Sequence, residues 1–247
     1  MNSLLIGVAI LATLCNCLQF LEASSFKKCD KRRSDFNQCL SDAIYTNLRL
    51  LDKPQKSFGL PSLYDLEFPP DVITEIGNRT YGLLQKFSKF RFIGLTRPES
   101  VTASLDFDPL VSTLRIAATY PQVTVQMEYE AQGTIVLLPL NVATSVDFIL
   151  NNPTFVFTFK LEEYDKGATY FRVIESEFDA QPQDFKLHFK QLFTNKRLNE
   201  EFNSALSEKG LQTFHIHKHL QVVFAPHFGS IVNSFLEKVP AAELFVE

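Results

Sequence analysis

Three alternate histidines come nearest, in type and spacing, to a metal-binding or catalytic site in this sequence. His215 and His219 stand four residues apart and would share one face of a helix, whereas His217 would point away. Such a pair can supply two ligands to a transition metal, but no acidic third ligand stands beside it in the sequence. We therefore interpret these histidines as exposed or packed side chains and expect no bound metal.

The common catalytic motifs are missing from the sequence. It contains no Gly-x-Ser-x-Gly nucleophile elbow, no P-loop and no His-Glu-x-x-His pattern. The carboxylate pairs at 162–163 and 200–201 have charged or polar neighbours and are typical of solvated surface. An esterase acting on lipids would need a nucleophile motif. We therefore predict no catalytic residues, no cofactor and a protein that is not an enzyme.

The composition indicates a folded chain with a large apolar interior. Apolar residues make up 45% and charged residues 21% of the 247 residues, as in ordinary soluble proteins. The formal net charge of −4 disfavours nucleic acid as a partner, because binding phosphates needs a basic surface. The chain has 24 Phe and no Trp, so the interior should contain many rings and few polar atoms.

The first 23 residues are predicted to be a signal peptide. An uncharged apolar run covers residues 4–14, and small residues follow at Ala23 and Ser24. A membrane anchor is the alternative, but the run is shorter than the roughly 20 residues that span a bilayer. No later stretch is long enough to cross a membrane, and no linker divides the chain. We therefore expect a secreted, extracellular protein with a single domain over residues 24–247 and without stable membrane insertion.

Export has consequences for the cysteines and for one asparagine. Cleavage after residue 23 would leave Cys29 and Cys39, which we expect to form a disulfide bond because exported thiols usually pair. Two free thiols are the alternative. Asn78-Arg79-Thr80 is an N-glycosylation sequon that requires a surface position, and whether Asn78 carries a glycan stays open.

The periodicity of the sequence predicts helices at both ends of the mature chain. Leu40, Ile44 and Leu48 recur every four residues and predict a helix over 36–50. A helical period returns near the C-terminus, where Gly210 and Pro226 predict a kink or a short break in one long helix. Its apolar positions are Leu198, Phe202, Leu206, Phe214, Leu220, Phe224, Ile231, Phe235 and Val239.

The middle of the chain has a period of two, which is typical of strands with one dry face and one wet face. Two runs show it most clearly: Val123, Val125, Met127 and Tyr129, and Phe155, Phe157 and Phe159. Further strand-like runs cover residues 101–107, 111–119, 134–140, 144–150, 170–178 and 185–193. Consecutive strands with short connections predict an antiparallel meander, and runs of this length predict a strongly curled sheet.

A curled sheet against a helix can be filled solid by its own side chains or can enclose a cavity for a ligand. If a cavity exists, the alternation assigns its walls. The predicted ligand-binding residues are Val123, Val125, Met127, Phe155, Phe157 and Phe159 on the sheet, and Phe202, Leu206 and Phe214 on the helix. Tyr129 is the predicted polar contact for a ligand head group. An error of one residue in strand parity would move the whole sheet set to the wrong face.

A series of short motifs in a fixed order connects this sequence to a known family. They are the cysteines at 29 and 39, Gly59-Leu60-Pro61, the runs 92–95, 120–125, 137–140 and 192–195, and the closing run 239–245. In this order the chain resembles the takeout and haemolymph juvenile-hormone-binding family of insects. It lacks a second cysteine pair, which is closer to takeout-like members, and has Asn141-Val142-Ala143-Thr144 where the family often has a Gly-rich turn.

The resemblance implies a fold and a function. The implied fold is α+β, with a long C-terminal α-helix wrapped in a highly curved antiparallel β-sheet and a helix near the N-terminus, related to the tubular lipid-binding proteins. The implied function is a secreted carrier of a small hydrophobic ligand, such as a terpenoid, a fatty acid or a related lipid, in an internal tunnel. The alternative is a secreted interaction protein with a filled core that acts through its surface. A protein receptor stays open as a partner.

Overall fold

The computed structural model describes residues 27–69, 71–77, 82–135, 138–209 and 216–246. Four helices occur in these ranges, and a 3-10 turn over Arg49–Asp52 follows the first of them. The helices are α1 (Phe36–Leu48), α2 (Lys196–Lys209), α3 (Ile216–Leu236) and the short α4 (Ala241–Leu244).

About half of the described residues lie in β-strands. The first six are β1 (Cys29–Asp30), β2 (Asp65–Phe68), β3 (Val72–Gly77), β4 (Gly82–Ile93), β5 (Ser100–Asp106) and β6 (Ser112–Thr119). The others are β7 (Gln122–Ile135), β8 (Leu138–Asn151), β9 (Thr154–Asp165), β10 (Thr169–Gln181), β11 (Asp184–Phe189) and β12 (Phe245–Val246).

The large sheets are antiparallel, as predicted, but they do not form a single meander. One has the order β11-β8-β7-β4-β2, with β3 paired beside β2 on β4, and the other has the order β10-β9-β6-β5. The expectation of one meander is wrong because strand pairing continues across two turns. Strand β6 runs into β7 and β8 runs into β9, so the pairs β6/β9 and β7/β8 form one long ribbon.

This ribbon bends where both of its strands contain a proline. The Tyr120 N–H donates to the Pro153 carbonyl, and the Asn152 N–H donates to the Pro121 carbonyl, each at 3.0 Å. A proline has no N–H and cannot continue a regular ladder, so the paired prolines mark the place where the ribbon leaves one sheet and enters the other. The inner faces of the two sheets are thereby turned toward each other.

Two β-bulges add to the curvature. The register shifts between Ser88 and Arg91 in β4, where Lys89 has a φ of 52°, and between Val173 and Glu175 in β10. Bulges bend a strand and increase its local twist. The result is the highly curved antiparallel sheet of the expected α+β fold.

The predicted C-terminal helix is found as α2 and α3, and residues 210–215 between them lie outside the described part of the chain. Pro226 falls inside α3. Helix α3 packs through Phe224 and Phe228 against Phe68 of β2, with ring centroids 5.1 Å apart in both pairs. On its other side Phe228 meets Phe157 of β9 at 4.8 Å. The helix therefore lies between an edge of one sheet and the inner face of the other.

The disulfide between Cys29 and Cys39 is formed, as predicted, and it joins β1 to α1. It fastens more than the N-terminal segment, because β1 pairs in parallel with β12 from the other end of the chain. Lys28 and Glu243 form an ion pair at 3.0 Å across the same joint, and the Lys31 ammonium lies 4.5 Å from the centre of the Phe107 ring. Lys28 and Lys31 thus both contact other parts of the protein at this joint.

Replacing both cysteines with serine is expected to lower the free energy of unfolding by about 2–3 kcal/mol, since the short cross-linked loop gains entropy when unfolded. Urea denaturation followed by circular dichroism measures this change. The variant should also expose β12, so that carboxypeptidase removes its residues faster than in the parent protein. An unchanged denaturation midpoint together with unchanged digestion would contradict this role of the bond.

Candidate functional site

The alternation predicted for β7 is present in the structure. Val123, Val125, Met127 and Tyr129 are all buried, whereas the intervening Glu128 is exposed. On β9, Phe155 and Phe159 are buried and Phe157 is half-buried. The predicted strand parity is therefore correct, and the sheet residues assigned to a ligand wall do face the interior.

The predicted helix wall is only partly described. Phe202 of α2 is half-buried and packs edge to face on Phe189 at 6.0 Å and on Phe193 at 5.4 Å. Leu206 lies in α2, but its side chain is outside the described part, and Phe214 lies wholly outside it. Of the three residues, Phe202 is thus the one shown to contact the interior.

Two buried asparagines that the sequence analysis left without a role hold α2 in place. The Asn203 side chain accepts the N–H of Phe189 and donates to the carbonyl of the same residue, both at 2.9 Å. Asn199 accepts the Leu192 N–H at 2.8 Å and donates to the Phe189 carbonyl at 3.0 Å. Their spacing of four residues, on the helix face that also carries apolar residues, was the available signal in the sequence.

Tyr129 lies in an aromatic cluster near α2. Its ring is 5.1 Å from both Phe87 and Phe189, and Gln85 of β4 donates a hydrogen bond of 2.6 Å to its hydroxyl oxygen. Burial raises the pKa of the Tyr129 phenol, so the group is neutral at physiological pH. The sequence analysis did not identify Gln85 as a partner of Tyr129, although Gln85 is a polar residue at an inward position of β4.

A second cluster of rings fills the space under α3. Phe224 packs edge to face on Phe90 and Phe92 at 5.1 and 4.9 Å, and Phe178 lies 5.3 Å from Phe155. Among these rings remains a cavity of about 30 Å³, which is room for about one water molecule. It is lined by Phe92, Val125, Phe148, Leu150, Phe155, Phe178, Ala180, Gln221 and Phe224.

The structure therefore divides the predicted wall between two places. Val125 and Phe155 line the small cavity, and Phe157 adjoins it through its contact with Phe178 at 5.2 Å. Tyr129 and Phe202 instead lie at the ring cluster near α2. A ligand that touched the whole predicted set would have to extend along β7 from one cluster to the other.

A larger hollow of about 400 Å³ lies between β10 and the outer side of α3. It is an open groove whose lining includes Glu175, Glu237, Ser230 and Asn233. Carboxylates and hydroxyls are poor neighbours for a hydrophobic molecule, because such a ligand would displace their water without replacing its hydrogen bonds. The apolar interior, and not this groove, is the candidate site for a hydrophobic ligand.

The described part of the chain offers neither a metal site nor a membrane-spanning helix. There, no group of three or more His, Cys, Asp or Glu residues is placed to hold a metal ion. No helix of that part is both long and apolar enough to cross a membrane. The side chains of His217 and His219 are not described, and His215, Asn78 and the predicted signal peptide lie outside the described residues.

The chain is similar to one protein family and to solved structures of other proteins. A family model described as "Haemolymph juvenile hormone binding protein (JHBP)" matches residues 6–246. The crystal structure of Takeout 1 from Epiphyas postvittana aligns over 89% of this chain and 99% of its own, at 18% identity and a TM-score of 0.68. A lipopolysaccharide binding protein aligns over 78% of this chain and 36% of its own, at 15% identity and a TM-score of 0.43. No curated protein matches the chain.

Truncating Asn203 to alanine is expected to lower the free energy of unfolding by about 1–3 kcal/mol, because the Phe189 N–H loses the Asn203 acceptor and the Phe189 carbonyl loses one of its two side-chain donors. Chemical denaturation measures the loss. Glu200→Ala on the same helix is the control, since its exposed ion pair with Lys196, at 3.8 Å, should contribute under about 1 kcal/mol. Equal effects of the two substitutions would show that Asn203 does not hold the helix.

Proposed function

Since the chain belongs to the haemolymph juvenile hormone binding protein family, we propose that it is a secreted carrier that binds a small hydrophobic molecule inside its curved sheets. The ligand class is a terpenoid, a fatty acid or a related lipid. Residues 1–23 would direct export, and Asn78 would carry any glycan at the surface. No catalytic role is proposed, and the carrier needs neither a metal nor a cofactor.

The observation that carries this proposal is the apolar character of the space between the two sheets and α3. Both sheets and α3 turn phenylalanines toward one another, and the lining of the cavity under α3 is apolar except for Gln221. Burying on the order of 400 Å² of ligand surface there would contribute roughly 10 kcal/mol before the cost of association. That cost leaves affinities between micromolar and nanomolar, which suits a carrier that must also release its ligand.

Tyr129 is proposed as the polar contact of the ligand. Its oxygen already accepts a hydrogen bond from Gln85, so its own hydroxyl proton is directed elsewhere and suits a carbonyl or ether oxygen of the ligand. The raised pKa of the phenol keeps this proton in place at neutral pH. A ligand with one such acceptor on a hydrophobic frame would satisfy both the rings and the hydroxyl.

The small volume of the hollow among the described residues supports a second candidate function. A drug-sized ligand needs a cavity of ~300–1,000 Å³, and the described hollow among the rings has about 30 Å³. A protein whose core is permanently filled would act through its outer surface as a secreted interaction protein, with a receptor as partner. The two functions differ in whether the aromatic side chains of the interior can move apart to admit a ligand.

Native mass spectrometry of the protein from its natural source separates the two candidates. The carrier retains a small apolar molecule that is lost on denaturation, and the purified protein takes up the neutral fluorescent probe N-phenyl-1-naphthylamine. If neither native nor lipid-fed protein holds such a molecule and the probe does not bind, the interaction protein is the correct function.

Phe157→Asp is expected to weaken probe binding at least tenfold, because a carboxylate on the inner face would have to be desolvated next to the ligand. Thr158→Asp, on the opposite face of the same strand, is the matched control and should leave the affinity within a factor of about two. Circular dichroism verifies that both variants are folded. Equal affinities of Phe157→Asp and the parent protein would remove Phe157 from the ligand wall.

A further inference from the structure

Among the described residues, the cavity under α3 offers about 30 Å³, so a drug-sized ligand fits in this part of the interior only if some element moves. The strands around it are tied into continuous backbone ladders on β7, β8 and β9. Helix α3 is different, since it lies against β10, the edge strand of its sheet, and is fastened to that strand by side chains. The boundary between α3 and β10 is called the seam below.

Besides the packing of Phe178 on Phe228 at 5.0 Å, side-chain hydrogen bonds fasten the seam at every third residue of β10. Asn233 accepts the Val173 N–H at 2.6 Å and donates to the Val173 carbonyl at 3.1 Å. Ser176 donates to the carbonyl of Ala225 at 2.8 Å. Gln221 donates through its amide to the Asp179 carboxylate. The strand and the helix run in opposite directions, so Asp179 contacts the first half of α3.

The helix is weakest just after the middle contact. Pro226 has no N–H to give to the carbonyl of Val222, so a bend at this point breaks one intrahelical hydrogen bond fewer than elsewhere. The second half of the helix is held close to the strand: a Cβ added to Gly229 would lie 2.9 Å from the Ser176 hydroxyl oxygen. Ser176 therefore holds the helix at Ala225, directly before the proline, and Asn233 holds it beyond the proline, while the residues before Ala225 extend from that anchor.

The half of α3 before Pro226 is also the part that covers the cavity. Among the described side chains of α3, Gln221 and Phe224 line it, and the Phe224 ring meets Phe68, Phe90 and Phe92. Movement of this half away from β10 would withdraw Phe224 from between the sheets. The apolar surface of a ligand could then replace the contacts of that ring.

We propose that the ligand enters through the seam, by a pivot of residues 216–225 about Pro226, and that the Gln221–Asp179 hydrogen bond is the latch that keeps the seam closed. The inference rests on the carrier function proposed above. Asp179 is an outward residue of β10, between Phe178 and Ala180, which line the cavity. In this proposal Asp179 does not contact the ligand but controls the rate at which the ligand enters and leaves.

Stopped-flow release of N-phenyl-1-naphthylamine tests the latch. Asp179→Ala is expected to raise the dissociation rate constant about tenfold, the effect of losing one hydrogen bond to a charged group. The association rate constant should rise with it, so that Kd changes less than either. Gln181→Ala is the matched control, because Gln181 binds the same carboxylate from the same strand without reaching α3. Equal release rates in Asp179→Ala and Gln181→Ala would overturn the latch.

The pivot is tested by a substitution with the opposite effect on probe release and by a hydrogen-exchange measurement that needs no ligand. Pro226→Ala restores a helix-forming residue with an N–H and should slow probe release, whereas Asp179→Ala speeds it. Hydrogen-exchange mass spectrometry of the free protein should show faster exchange in residues 216–225 than in 227–236, and Pro226→Ala should reduce the difference. Equal protection of both halves would overturn the pivot. A parent protein that binds no probe but exchanges unevenly would contradict the carrier function and not the movement of the helix.

Discussion

The bend of the long β-ribbon is the constraint on which the rest of this molecule depends. Two backbone hydrogen bonds across the paired prolines, from Tyr120 to Pro153 and from Asn152 to Pro121, hold both strands at the point where they change sheets. Because strands β6 to β9 keep their pairing on either side, the dry faces of β7 and β9 are turned toward one space. The aromatic interior, the position of α3 and the candidate site all follow from that geometry.

The same interior reconciles a binding role with dense packing. Rings that meet edge to face at about 5 Å, such as Phe224 on Phe92, leave little empty volume and favour a closed state in the absence of a guest. A carrier built in this way exchanges its own side-chain contacts for those of a ligand. Its affinity then depends on the difference between two apolar packings, and its kinetics depend on the element that has to move.

Local periodicity predicts part of this structure well. The alternation of Val123, Val125 and Met127 fixes the inward face of β7, because side chains of a strand alternate whatever its partner is. It does not tell how the strands are distributed between sheets, since that depends on hydrogen bonds between residues 120 and 153, which are far apart in the sequence. The same limit applies to Gln85, whose partner Tyr129 lies on another strand. Periodicity predicts which side chains of a strand face inward, but the distance between these side chains and those opposite them depends on the whole fold.

The parallel pairing of β1 with β12 has a consequence for biosynthesis. Strand β12 leaves the ribosome after every other element described, so the disulfide between Cys29 and Cys39 can form long before β1 finds its partner. Until then, the ring contacts of Phe245 with Phe36 and Phe107 are missing. The apolar surface that these contacts cover is then accessible to chaperones. Completion of this joint is therefore a late step of folding, which covers the Phe36 and Phe107 rings with Phe245.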